Sequence, residues 1–448
     1  MSRYTSATDA DRRAMLDAIG VASLEDLFAD IPADVRLGRE LELPPGMAEQ
    51  EVTEHLGALA DRNRDADAEV TFAGGGMYDH YVPALVESIT QRSEFLTPYT
   101  PYQPEISQGG LQVMFEFQTA ISELTGLPVS NASLYEGPSS VASAGYLAKL
   151  ENGRGKLVAS RGVHPHSRET LTTYARGFGC RVEEVALDEG GRTDVEALAA
   201  AVDDETSAVF LQQPSYLGTV EELGPLVEAA KRTDALCVCA VDPLTLGILR
   251  PPGDYGVDVA VGEGQTLGNR LDFGGPSFGF YAAAERYLRK MPGRIAGETV
   301  DVDGKRGFVL TLQTREQHIR REKATHNICT SQALNALAGM VYLAWLGRQG
   351  IVELGELMAQ RTHYAREALG LEPINPGPVV REFAVRVPEL DALAEAARAD
   401  GINPGLRLGQ DYPEYPDGLL VAITERRTRA DIDRLARHAS AVREGVAA

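Results

Sequence analysis

The sequence lacks the features that mark disulfide-rich, metal-binding and membrane-spanning proteins. Only four of its 448 residues are cysteines, at positions 180, 237, 239 and 329, and no two of them have the spacing of a zinc site. No HExxH-like cluster occurs, and no apolar run approaches the roughly 18 residues that cross a bilayer. The first residues show no basic stretch followed by an apolar one. We therefore expect a cytoplasmic protein with buried free thiols, no metal site and no membrane span.

Positive charge is also scarce. The formal net charge is -22, and only six of the 43 basic residues are lysines. So acidic a surface repels nucleic acids and anionic membranes, which leaves a small metabolite or another protein as the expected partner. The low lysine content alone is explained most simply by a genome that favours arginine codons.

The most informative absence is that of lysine from one stretch of the chain. No lysine lies between Lys231 and Lys290, although Asp242 ends the apolar run 235–241 and residues 265–267 are Gln-Thr-Leu. Enzymes that use pyridoxal phosphate (PLP) hold it as a Schiff base with a lysine and place an acidic residue against the pyridinium nitrogen. Asp242 has the position of that acidic residue, and the lysine expected after it is missing. Either the chain is no such enzyme, or a partner supplies the lysine.

The pattern of apolar residues predicts an N-terminal helical segment followed by alternating strands and helices. The segment contains helices at 10–22 and 49–62, and a further helix is expected at 111–124. Strands are expected at 156–159, 182–186, 208–212, 236–241, 257–261 and 277–281, with helices at 167–176, 194–202 and 225–233 between them. Nearly all-apolar strands that alternate with helices indicate a doubly wound, mostly parallel sheet, whose ligands bind beyond the carboxyl ends of the strands.

The last third of the chain predicts a smaller α+β domain. A long helix is expected to end at Leu346, followed by strands at 379–387 and 419–424 and by helices at 390–399 and 429–442. The expected domains are residues 1–65, a helical segment; 66–325, the large α/β domain; and 326–448, the long helix with the small C-terminal domain.

Five motifs are distinctive: FAGGGMYDHYVP at 72–83, PYTPYQPEISQG at 98–109, GEGQTLG at 262–268, FGGP at 273–276 and RREKAT at 320–325. They resemble the motifs of one family, the glycine decarboxylase P-protein of the glycine cleavage system, and specifically its subunit 1, the alpha chain of the two-chain form. They extend over most of the chain. Two residues depart from the family pattern, since His326 and Ser331 stand where serine and asparagine are expected.

The resemblance implies the α/β architecture of PLP-dependent transferase fold type I, with PLP bound covalently by a lysine of the partner beta chain. Thr266 would occupy the position vacated by the lysine, and His164 the position of the imidazole that stacks on the pyridine ring. The implied reaction is that of glycine dehydrogenase (decarboxylating): glycine loses its carboxylate and the aminomethyl group passes to the lipoyl arm of the H-protein. The implied partners are thus the beta subunit, lipoylated H-protein and glycine.

Candidate site residues fall in three places. The proline-stiffened loop 98–108 is expected to line a cleft shared with the partner, through Tyr99, Tyr102, Gln103 and Glu105. Its tyrosines would equally suit a plain subunit interface. At 136–140 a helix start carries Ser139 and Ser140, which would either hold phosphate or simply cap the helix.

Lys323 and Thr325 are placed where a dimeric fold of this kind lends groups to a neighbour's phosphate. Without a covalent cofactor in this chain, the alternative role of Asp242 is only to close a strand end. Two other functions stay open: a non-catalytic subunit that stabilises the beta chain, and a self-sufficient PLP enzyme that uses Lys231 or Lys290.

Overall fold

A computed structural model of the chain describes residues 6–446 and divides it into two compact units, Met1–Asn63 and Arg64–Ala448. Among the described residues, no helix is both long and apolar enough to cross a membrane. Within the same range, no group of three or more His, Cys, Asp or Glu side chains is placed to hold a metal ion. The domain boundary expected near residue 325 stays a prediction.

The first unit has two α-helices, α1 (Asp9–Ile19) and α2 (Glu49–Ala60), which confirm the two predicted N-terminal helices. Thr8 begins α1 because its hydroxyl accepts from the backbone N–H of Asp11, whose carboxylate accepts in return from the N–H of Thr8. None of the described residues in 6–63 is buried. The unit therefore has no apolar core of its own.

The second unit contains all the strands found in the described part of the chain. They are β1 (Val70–Thr71), β2 (Val129–Ser130), β3 (Lys156–Ser160), β4 (Arg181–Val185), β5 (Thr206–Gln213), β6 (Leu236–Val241), β7 (Val259–Glu263), β8 (Gly279–Ala283), β9 (Ile295–Val300), β10 (Arg306–Thr311), β11 (Glu372–Pro373), β12 (Glu382–Arg386), β13 (Ile402–Asn403), β14 (Leu406–Arg407) and β15 (Gly418–Ala422). Its helices are α3 (Ala84–Thr90), α4 (Ser93–Leu96), α5 (Gln108–Thr125), α6 (Gly137–Asn152), α7 (Pro165–Gly177), α8 (Val195–Ala201), α9 (Leu223–Ala230), α10 (Gln317–Arg320), α11 (Ala333–Leu369), α12 (Leu390–Ala399) and α13 (Arg429–Val446).

The main sheet has seven strands in the order β2-β8-β7-β6-β5-β3-β4. Strands β3 to β7 run parallel to one another, whereas β8 runs antiparallel to both of its neighbours, β7 and β2. The six predicted strands correspond to β3 to β8, so the mostly parallel sheet is confirmed. Every residue of β6 is buried, because helices cover both faces of the sheet.

A second sheet of four antiparallel strands, in the order β11-β12-β15-β14, forms near the C-terminus. One face of it packs on α13 through residues such as Phe383, Val421 and Leu435. The long helix α11 extends to Leu369 rather than ending at Leu346, and Gly347 interrupts it with φ +61° and ψ -175°. The predicted end thus coincides with a break between two helical segments that follow one another.

One hairpin is among the elements that escaped prediction. The antiparallel hairpin β9-β10 brings Val309 opposite Gly297 and leaves Val302, in its turn, fully exposed. Only Ile295 and Ala296 of β9 and Phe308 and Leu310 of β10 are buried, and the last two pack against α5. A pattern based on apolar runs does not detect such strands.

Candidate functional site

A cavity of about 480 Å³ lies beyond the carboxyl ends of the parallel strands. His164 after β3, Asp242 after β6 and Glu263 at the end of β7 reach it from the large sheet, and Glu382 of β12 reaches it from the small sheet. The cavity therefore occupies the position where doubly wound sheets bind ligands.

Asp242 is paired with a buried cation. Its carboxylate forms an ion pair with the guanidinium of Arg381, whose side chain is 3% exposed. The same guanidinium lies 3.5 Å above the ring centroid of Tyr78 and contacts Nε2 of His80. Asp242 also accepts from the backbone N–H of Leu244 at 3.1 Å. Its charge is thus used within the protein and is not available to a pyridinium nitrogen.

Glu382 is a second buried carboxylate in the cavity wall. It accepts from the N–H of Gly75 and from the hydroxyl of Tyr78, each at 2.7 Å. Burial raises the pKa of Glu382 to about 7. A Cβ at Gly74 would stand 2.4 Å from the carboxylate, so this approach requires glycine.

Two carboxylates close the N-terminus of α6. Glu263 accepts from the backbone N–H of Gly137 at 3.0 Å, and Glu136 accepts from that of Ser139 at 3.0 Å. The hydroxyls of Ser139 and Ser140 both donate to the carbonyl oxygen of Glu136. Burial raises the pKa of Glu263. The amides and hydroxyls expected to hold phosphate are therefore already bound to groups of the chain itself.

Thr266 and His164 both line the cavity. Thr266 is 1% exposed and its hydroxyl has no hydrogen-bond partner. His164 accepts from the N–H of His166 through Nδ1, so its Nε2 donates to the carbonyl oxygen of Gly75 at 2.7 Å. Burial lowers the pKa of His164 to about 4, which keeps the ring neutral at pH 7.

None of the six lysines, all of which fall in the described range, lines the cavity. Lys231 pairs with Asp258 at 3.4 Å and Lys290 with Glu151 at 2.7 Å. The cavity therefore does not fit PLP: it has no lysine for a Schiff base, an acid tied to Arg381 and a helix N-terminus filled by carboxylates. A self-sufficient PLP enzyme based on Lys231 or Lys290 has no support in this geometry.

The loop 98–108 contributes to a different cluster, outside the cavity. The hydroxyl of Tyr102 accepts from Nη2 of Arg294 at 2.6 Å, and the same nitrogen donates to Glu316 at 3.2 Å. Arg294 is 2% exposed, yet its Nε and Nη1 have no partner. The hydroxyl of Tyr99 lies 3.6 Å from the sulfur of Cys329. We call these five residues the Tyr102 cluster.

The remaining candidates lie at the edge of that cluster or on the surface. Gln103, Glu105 and Lys323 are exposed, whereas the hydroxyl of Thr325 is buried and unpartnered. The backbone N–H of Thr325 donates to the carbonyl oxygen of Arg315. Of the catalytic candidates, therefore, only Tyr99 and Tyr102 contact other residues of a site.

Sequence reasoning missed Arg381 and Glu382 as site residues. A visible signal existed, because these two adjacent charges fall inside the predicted strand 379–387, whose other residues are apolar except for Arg386. It also missed Arg294, which is preceded by Gly293 and has no motif around it. Only the packing of β9 beside loop 98–108 brings Arg294 to Tyr102.

The fold and the cavity define the class: this is the α/β architecture of fold type I PLP enzymes. Cysteine desulfurase CsdA from Escherichia coli shares it with a TM-score of 0.62 at 15% identity, over 86% of this chain and 98% of that one. The chain belongs to the family "Glycine cleavage system P-protein", whose profile matches residues 2–438.

Relatives match along their whole length. The "Probable glycine dehydrogenase (decarboxylating) subunit 1" of Carboxydothermus hydrogenoformans is 49% identical over 97% of this chain and 98% of its own. The protein of the same name from Moorella thermoacetica is 48% identical over 96% and 98%. A crystal structure of "glycine decarboxylase (P-protein) of the glycine cleavage system, in inhibitor-bound form" matches with a TM-score of 0.88 and 42% identity, over 98% of this chain and all of that one.

Proposed function

We propose that this chain is subunit 1, the alpha chain, of a two-chain glycine dehydrogenase (decarboxylating). It acts with a beta subunit that carries the PLP lysine, and the pair works in the cytoplasm. The observation that carries the proposal is the cavity: a chain similar throughout to proteins named subunit 1 has no lysine there and fills the phosphate position with Glu263.

The proposed reaction removes the carboxylate of glycine as carbon dioxide and passes the aminomethyl group to the lipoyl arm of the H-protein. No step of it runs through the cavity of this chain. The contribution of this chain is to line the shared cleft, to orient groups there and to exclude water.

The Tyr102 cluster supports this role. Arg294 is a buried cation whose Nε and Nη1 have no partner, and leaving charged donors unsatisfied is costly in a monomer. An anionic group in a shared cleft, such as a carboxylate or phosphate, would satisfy them. Tyr99 and Tyr102 would then border the cleft, with Gln103 and Glu105 exposed toward the partner.

Borohydride trapping tests which of the two chains binds PLP through a lysine. The purified chain is treated with PLP and borohydride, alone and after assembly with its beta subunit, and the labelled lysine is mapped by peptide analysis. We expect label only on the beta subunit, together with glycine decarboxylation that requires both chains. Specific label on Lys231 or Lys290 would overturn the proposal.

A purely structural alpha subunit is the second possible function, and a variant of Tyr102 distinguishes it from the proposed role in the shared cleft. In the assembled complex, Tyr102→Phe should lower glycine decarboxylation by at least about tenfold, because Arg294 loses an acceptor and its orientation. Tyr174→Phe, at an exposed tyrosine on α7, is the matched control. Full activity of Tyr102→Phe in an intact complex would favour the structural role.

A further inference from the structure

The cavity that does not fit PLP has an acidic lining. Four carboxylates line it, those of Glu136, Asp242, Glu263 and Glu382, against one guanidinium, that of Arg381. His164, which also lines it, adds no positive charge because its Nδ1 accepts a hydrogen bond and its Nε2 already donates one. The lining therefore holds more carboxyl groups than cations, and burial raises the pKa of Glu263 and raises that of Glu382 to about 7.

The excess is not cancelled by ion pairs within the chain. Arg381 pairs with Asp242, but no arginine or lysine lies within 4 Å of the Glu136, Glu263 or Glu382 carboxylates in the described part of the chain. Each of these accepts only from uncharged amide or hydroxyl donors. A carboxylate has about four acceptor positions, and Glu382 uses two of them.

A polar side chain faces the same space without a partner. Thr266 lines the cavity, and its hydroxyl is buried and forms no hydrogen bond with the described residues. Glu263, three residues earlier in the chain, lines the same cavity, so a ligand that satisfies the hydroxyl would share the cavity with a carboxyl group. Leaving a buried hydroxyl without a hydrogen bond is costly, and binding of a ligand would recover that cost.

The remainder of the wall is apolar. Met77, Pro214, Val241 and Pro276 contribute to it, and such surroundings strengthen charge attraction relative to open water. With no group of three metal-ligating side chains in residues 6–446, the lining does not suit a bare metal ion. Its chemistry suits an organic cation with several N–H donors.

We propose that the cavity of this chain is a binding site for small compounds with a primary ammonium group and no carboxylate or phosphate. The ammonium donates to Glu382 and Glu263, and a hydroxyl or similar group of the ligand pairs with Thr266. This site is separate from the Tyr102 cluster and does not depend on the proposed glycine chemistry. The cavity is thus a second ligand site of the chain, with charge preference opposite to that of a cofactor phosphate.

Calorimetric titration of the purified full chain with ethanolamine tests the proposal. Ethylene glycol, its uncharged analogue, and inorganic phosphate are titrated in parallel. We expect saturable binding of ethanolamine with a ratio of one to one, and binding at least tenfold weaker for ethylene glycol and phosphate. Stronger binding of phosphate, PLP or glycine than of ethanolamine would overturn it.

Variants locate the binding. Glu382→Gln should weaken ethanolamine at least tenfold, and Thr266→Val, which keeps the shape of threonine, by about threefold. Glu298→Gln, on the exposed strand β9, is the matched control and should change nothing. Circular dichroism checks that each variant is folded. If Glu382→Gln does not fold, Glu263→Gln is used in its place. Unchanged affinity in folded variants at both glutamates would refute the site.

Discussion

The carboxylate of Glu263 accepts a hydrogen bond at 3.0 Å from the backbone N–H of Gly137, the first residue of α6. A helix N-terminus favours an anion, and here the end of β7 supplies one. A Cβ on Gly137 would approach Glu263 to 3.1 Å, so the glycine permits this close contact. The anion site of the fold is thereby closed from within the chain.

Removing that carboxylate should reopen the anion site. In Glu263→Ser the N–H of Gly137 loses its acceptor and the lining loses one negative charge, so inorganic phosphate should bind at millimolar concentrations where the unaltered chain shows no binding. Isothermal calorimetry measures this. Glu298→Ser serves as control, and absence of phosphate binding in a folded Glu263→Ser chain would contradict our account of α6.

The buried pair of Asp242 and Arg381 should be costly to break from one side. Asp242→Asn leaves the charge of Arg381 buried without its closest anion, and we expect the free energy of unfolding to fall by roughly 3 kcal/mol. Asp391→Asn breaks the exposed pair with Arg407 and should have little effect. Denaturant titration compares the two variants.

A double variant checks the cause. If the loss in Asp242→Asn arises from the unpaired cation, adding Arg381→Gln should restore part of the stability rather than add a second loss. Strictly additive losses would show that the two side chains act independently.

Glu221 should make stability depend on pH. It accepts from the N–H and hydroxyl of Thr193, and burial raises its pKa to about 7, above the ordinary 4.5. The folded chain thus holds this proton more tightly than the unfolded chain. The contribution of protonated Glu221 to the free energy of unfolding is fully present below pH 4.5 and is lost as pH rises through about 7.

The variant Glu221→Gln should therefore melt higher than the unaltered chain at pH 8 and show little difference at pH 5. Thermal melts at both pH values measure the effect. Glu222→Gln, at the neighbouring exposed residue, controls for net charge. Equal differences at the two pH values would assign the effect to packing instead of ionisation.

Gly218 is expected to tolerate no side chain. It has φ +88°, and a Cβ there would lie 1.9 Å from the carbonyl oxygen of Glu382. Gly218→Ala should cost at least about 2 kcal/mol, from strain and overlap together. Gly224→Ala, in α9 with open space around it, should instead be neutral or slightly stabilising, by up to about 1 kcal/mol. Denaturant unfolding distinguishes the two substitutions.

Much of the large sheet could be predicted from the sequence, because its strands are buried on both faces and appear as short apolar runs. The run 236–241 corresponds to β6 residue for residue. The hairpin β9-β10 could not be predicted, since only alternate residues of β10 are buried and β9 is mostly exposed. The long helix is predicted to end at Leu346, where the pattern of apolar residues changes, whereas α11 continues past the break at Gly347 to Leu369.

The sequence by itself determined that no lysine lies between Lys231 and Lys290, whatever the fold. It also placed Asp242 at a strand end. Only the tertiary structure decided which groups the side chains of the site contact. Whether Asp242 meets Arg381, and whether Glu263 reaches Gly137, depends on contacts between residues more than 100 positions apart. Local sequence patterns report which residues are apolar and how they alternate, but the pairing of distant charges is set by the packing of one sheet against another.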